Sequence, residues 1–95
     1  MKDRHWCGML HLFRNQDTLK RFLTEQYFDL EEGSIRVVAL KRLARPWSQS
    51  EKFMLNLALH LFNEQLAKVS LSDMDYLDTR NKQLAFEAMK LRFGS

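Results

Sequence analysis

The stretch from Trp47 to Leu66 limits what this chain can fold into more than any other part of it. Ser48 and Glu51 form an S-x-x-E capping box, in which each side chain satisfies a backbone N–H left unpaired at a helix start. Pro46 cannot continue an earlier helix, and it biases Arg45 away from helical backbone. Beyond the box the apolar residues are Phe53, Met54, Leu55, Leu57, Ala58, Leu59, Leu61, Phe62 and Leu66. At about 100° per residue they cover well over half of the helix circumference. Gln49, Lys52, Asn56, His60, Asn63 and Glu64 share the remaining stripe. A helix this apolar must be surrounded by other elements, so residues 49–66 are expected to form the central helix.

The rest of the chain reads as helices around it. Three Gly and one Pro in 95 residues leave little turn punctuation, which disfavours an all-β fold. The expectation is an all-α single domain over residues 1–95, with four to five helices. Asp3 can cap a first helix, in which Trp6, Met9, Leu10 and Phe13 follow the amphipathic spacing. Gly8 within it costs about 1 kcal/mol against Ala, a cost that close packing would justify. Asp17 reads as the cap of a second helix with Leu19, Phe22, Leu23 and Tyr27 on one side, and Gly33 as a left-handed turn residue. Residues 35–44 mix β-branched and helix-forming types. A short helix from about Val37 to Ala44 is expected, since a lone strand has no obvious partner. Leu71, Met74 and Leu77 suggest a 3₁₀ piece at the core's edge. Asp78 can cap a last helix from Thr79 to about Arg92, with Leu84, Ala85, Ala88 and Met89 inward, extended by Leu91 and Phe93.

Several function classes find no support. No apolar run is long enough to span a membrane, and the first residues do not read as a signal peptide. One cysteine fits a reducing, cytoplasmic setting. Cys7 and His11 lie four apart on one helix flank, a spacing open to a nucleophile and base or to two metal ligands. Neither set completes itself, and a thiol beside a surface histidine is the plainer reading. Asp73, Asp75 and Asp78 resemble a calcium loop only superficially, because Leu77, Asp78 and Leu84 stand where oxygen, Gly and Glu are needed. No catalytic residue, cofactor or metal is expected.

Some runs of residues resemble a family of small uncharacterised proteins from Gram-positive bacteria and their phages and mobile elements. These are Phe28-Asp29-Leu30-Glu31-Glu32-Gly33-Ser34-Ile35, Leu40, Trp47-Ser48-Gln49-Ser50, Leu57-Ala58-Leu59-His60-Leu61-Phe62-Asn63 and Ala88-Met89-Lys90-Leu91-Arg92-Phe93. The likeness covers residues 28–93 and departs at Val37-Val38, where the family pattern has a Pro-containing turn. It implies a mobile-element setting and no mechanism.

Charge placement points to a working surface. Of the net charge of +3, the whole excess lies in residues 1–47, with nine Lys/Arg against six Asp/Glu; residues 48–95 carry six of each. Arg36, Lys41, Arg42 and Arg45 follow one another without an intervening acid, and Trp47 is next to them. Cations beside an aromatic suit an acidic protein partner or phosphate contact, although a solvated helix face explains them equally well. The acidic turn Asp29, Glu31 and Glu32 could do acid–base or metal work but reads first as solvent-exposed; it also lies near enough in sequence to pair with these cations or to join the surface. The stripe Asn56, His60 and Asn63 reads as facing water or the short connections or, if buried, as a hydrogen-bonded network or the floor of a ligand pocket. A helix-turn-helix over residues 37–63 is disfavoured, because Phe53 and Met54 would face the bases. The leading expectation is a non-enzymatic interaction protein that binds a protein partner through Arg36–Trp47. By analogy with small phage inhibitors such as anti-CRISPR proteins, the partner would be a host regulatory or defence factor. The alternative is a nucleic-acid-binding accessory protein that uses Arg36, Lys41, Arg42 and Arg45 on phosphates.

Overall fold

Each long helix begins at a side chain that accepts from its first turn, as the sequence indicates. In the computed structural model, which describes residues 3–29 and 31–94, four α-helices run α1 Arg4–Asn15, α2 Val37–Leu43, α3 Gln49–Phe62 and α4 Thr79–Phe93. Asp3 accepts from His5 N at 2.8 Å, and Asp78 from Asn81 N at 2.8 Å. At α3 the capping box is complete: Ser48 Oγ accepts from Glu51 N at 3.3 Å, and Glu51 Oε1 accepts from Ser48 N at 3.0 Å. Among the described residues, no helix is long and apolar enough to cross a membrane.

Helix α3 buries Phe53, Met54, Leu55, Leu57, Ala58, Leu59 and Leu61. It ends at Phe62, four residues before the expected Leu66. Asn63 has extended backbone (φ −155°, ψ 115°), and its Oδ1 accepts from Gln65 N at 3.0 Å. That local bond offers the chain an alternative to another helical turn. Helix α1 shares the centre, packing on both α3 and α4 through Trp6, Met9, Leu12 and Phe13. A Cβ built on Gly8 would lie 3.0 Å from both Ala88 O and Arg92 Cβ, so the close α1–α4 approach explains this glycine. The small residues Ala85 and Ala88 complete the seam. Arg92 Nε donates to Leu61 O at 2.9 Å and ties the end of α4 to the end of α3.

The segment between α1 and α3 departs from expectation. In place of a second α-helix there is a 3₁₀ turn, Leu19–Phe22. Asp17 does not cap it; the buried Gln16 does, its Oε1 accepting from Thr18 N at 2.8 Å and Leu19 N at 2.9 Å. The Gln16 amide donates to Asn81 Oδ1 at 3.3 Å, joining this corner to α4. The expected absence of a strand partner is also corrected. Phe28–Asp29 (β1) pairs antiparallel with Ser34–Ile35 (β2), in register Phe28 to Ile35. Gly33, at φ 71°, makes the turn. Helix α2 then forms as the helical reading of residues 37–44 expects, and enters the core through Leu40 and, just past its end, Ala44.

The second 3₁₀ turn, Leu71–Tyr76, leads into α4 with Leu77 buried behind it. Leu91 and Phe93, expected inward, are exposed instead. Helix α1 is covered by the Ala85–Ala88 side of α4; in the last turn Arg92 continues that contact, while Leu91 and Phe93 lie outside it. The result is a predominantly α-helical domain with one minimal hairpin.

Candidate functional site

Two features that are separate in the sequence meet in the structure. Lys41 and Arg45 lie four residues apart on the solvent side of α2 and its C-terminal turn. Lys52 and Asn56 lie four residues apart on the polar stripe of α3. Between them opens a surface cleft of about 370 Å³, with Lys68 at its edge. Its floor is Ala44, Leu55 and Ala67, all buried. The four cations are exposed.

The loop that carries Lys68 is held by two side chains. His60 Nδ1 lies 2.9 Å from Ala67 O; a carbonyl can only accept, so that nitrogen bears the proton. Lys41 Nζ donates to Leu66 O. His60, one of the pocket-floor candidates, therefore fastens the cleft's edge, and with Asn63 it lines a separate groove beside His5 and Arg92. Asn63, another candidate, caps α3. Asn56 alone of the three lines the cleft, and its amide makes no hydrogen bond to any described residue.

Among the described residues no carboxylate lines the cleft, and no ion pair involves Lys41, Arg45, Lys52 or Lys68. Four like charges on one small surface repel one another, weakly where water screens them.

The remaining expected residues distribute differently. Arg36 is the N-cap of α2 and exposed, and its backbone N–H donates to Tyr27 O at 2.9 Å. Arg42 is exposed on α2, one turn from the exposed Val38, and lies outside the cleft lining. Trp47 is not a free aromatic anchor: it is half-buried and stacked on Phe22, with ring centroids 5.5 Å apart at 29°. Phe22 also meets Tyr27 edge-on at 6.0 Å, so Trp47 fastens the corner between α2 and α3. Asp29, Glu31 and Glu32 are exposed in the hairpin turn, where Asp29 Oδ1 accepts from Glu32 N at 3.0 Å. Asp29 and Glu31 line a different groove with Leu23 and Phe28. Among the described residues, no ion pair joins this acidic turn to the basic stretch.

Between α1 and α4, His11 Nε2 lies 2.9 Å from Glu87 Oε1. That bond, first among its causes, holds the Glu87 carboxyl below its usual range. Asn15 Nδ2 donates to His11 O at 2.8 Å, and Cys7 is half-buried one turn earlier. No group of three His, Cys, Asp or Glu side chains among the described residues is placed to hold a metal ion.

Sequence reasoning missed Lys52 and Lys68 as partners of Lys41 and Arg45, and Glu87 as the partner of His11. Lys52 carried a signal, because it shares a helix face with Asn56. Lys68 and Glu87 carried none, because each meets its neighbours only through tertiary packing. Comparison with family models, curated proteins and solved structures finds no match in any of the three.

Proposed function

We propose that this chain is a non-enzymatic binding module that engages an acidic protein partner through the basic seam between α2 and α3. The observation that carries this reading is the cleft itself: four exposed cations, with no carboxylate in its lining and no ion pair to any of them among the described residues. Lys41 also holds the loop after α3 through Leu66 O, but fold stability gives no reason to collect Arg45, Lys52 and Lys68 beside it without ion pairs, whereas an anionic partner does. Arg42 and the exposed Val38 extend the surface beyond the cleft, combining charge with an apolar contact. The likeness of residues 28–93 to proteins of phages and mobile elements supports a bacterial host factor as the partner, met in the cytoplasm.

Nucleic-acid phosphate is the second reading, favoured by the same unpaired cations. The stacking of Trp47 on Phe22 weighs against it, since one face of that ring is already covered. The burial of Phe53 and Met54 removes α3 as a recognition helix.

The test is affinity capture from a nuclease-treated Gram-positive lysate, with the wild-type chain and with Arg42→Glu/Arg45→Glu. The wild type is expected to retain a protein in a salt-sensitive manner. The reversed chain, folded as judged by circular dichroism, is expected to lose it. Equal capture by both chains would remove this surface from consideration.

A further inference from the structure

The α2–α3 cleft has the composition of a seat for one doubly charged anion, and we propose that it binds a phosphate monoester. The inference rests on the binding reading above and narrows it by naming the anionic group. The charges come from three separate places: Lys41 and Arg45 at the end of α2, Lys52 in the first turns of α3, and Lys68 in the loop after α3. That loop is fixed by the bonds from His60 to Ala67 O and from Lys41 to Leu66 O. Lys41 retains two ammonium protons after its bond to Leu66, and Arg45 presents a planar fork of donors. Asn56 stands among these cations with its amide unengaged by any described residue, so its NH₂ can donate to a ligand oxygen.

Ligand class follows from charge and size. A phosphate monoester carries about −1.5 to −2 charges at neutral pH and three acceptor oxygens. That matches several converging donors better than a diester, which carries one charge. The volume, about 370 Å³, is near the lower end of the range of about 300–1,000 Å³ typical of small-ligand sites. It accommodates a phosphate with the residue or nucleoside bearing it, and not a length of strand. The buried apolar floor of Ala44, Leu55 and Ala67 lowers the local dielectric beneath the anion and strengthens bonds to it. A phosphorylated side chain and a mononucleotide share this chemistry.

The experiment is a chemical-shift titration of the ¹⁵N-labelled full chain with O-phospho-L-serine, adenosine 5′-monophosphate and dimethyl phosphate. Both monoesters are expected to shift the amides of Asn56, Ala67 and Lys68 saturably, and dimethyl phosphate to bind at least about tenfold more weakly. The tighter of the two monoesters assigns the source of the phosphate. Lys52→Gln/Lys68→Gln, both exposed positions, is expected to weaken monoester binding by about tenfold or more with the rest of the spectrum unchanged. Asn56→Leu, which keeps every charge, is expected to weaken it by a smaller factor. Equal binding of dimethyl phosphate, shifts confined to other surfaces, or an unaffected Lys52/Lys68 variant would each overturn the proposal. Monoester binding together with partner capture that ignores the Arg42 and Arg45 reversals would keep the seat and sink the protein-partner reading. Capture lost in Arg42→Glu alone, without monoester binding, would do the reverse.

Discussion

Helices α1, α3 and α4 and the segment from Gln16 to Trp47 are built by different means. The three long helices are defined by their own residues: capping side chains at each start and apolar spacing at 3.6 residues per turn. The intervening segment is a series of short pieces that would not persist alone. It is held from outside, by Gln16 reaching Asn81, by Phe13 edge-on to Phe28 at 4.9 Å, and by the rings of Phe22, Tyr27 and Trp47. The basic cleft lies on the seam between the two regions, with two cations from each side if the loop after α3 is counted with the core. Its geometry therefore depends on how the segment docks.

The largest expected effect comes from opening the core. Phe13→Ala removes a fully buried ring and its contact with Phe28, and should destabilise the chain by about 3–5 kcal/mol in urea unfolding. Gly8→Val tests the α1–α4 seam. Its side chain would meet Ala88 O and Arg92 Cβ, and the expected loss is about 1–3 kcal/mol. An unchanged midpoint would mean that the two helices are not in register at Gly8.

Ser48→Ala breaks the capping box at the start of α3, with an expected loss of about 1 kcal/mol. Glu51 links this box to the segment, because Thr18 Oγ1 donates to Glu51 Oε2. The Thr18 bond, then those from Ser48, holds the Glu51 carboxyl below its ordinary value of 4.5. A depressed folded-state value means that the stability from this group is present above the unfolded value and is lost as pH falls through the folded one. Acid unfolding of Glu51→Gln should therefore be shallower than that of the wild type below about pH 4.5. Parallel acid curves would remove Glu51 from the joint.

The smallest stability effect is expected at the proposed binding surface. Neither Arg42 nor Arg45 enters an ion pair among the described residues. Arg42→Glu/Arg45→Glu should stay within about 0.5 kcal/mol of the wild type. A larger loss would assign these cations to the fold and not to a partner.

What the sequence made legible follows the same division. Asp3, Ser48 with Glu51, and Asp78 could be read as caps because a cap is a bond between residues two or three apart. Leu19, Phe22, Leu23 and Tyr27 have helical spacing, yet only Leu19–Phe22 form a turn of 3₁₀ helix. Gln16 closes its start, and Phe22 and Tyr27 turn to meet each other's rings. Tertiary contact overrode local pattern there. In the cleft, the pair Lys41 and Arg45 and the stripe with Lys52 and Asn56 were each visible. Their meeting was not, because it depends on the docking of Leu40 and Ala44 and on where Asn63 stops α3.

The central claim is that the seam's cations serve an acidic protein and not a nucleic acid. Fluorescence anisotropy of labelled random duplex and single-stranded DNA, titrated with the protein at low and at physiological salt, tests it most directly. The account predicts no saturable binding at physiological salt and no dependence on Lys41, Arg45, Lys52 and Lys68. Saturable duplex binding with a log–log salt slope of about −3 to −4, the value for four phosphate contacts, and abolished when those four residues are neutralised, would contradict it.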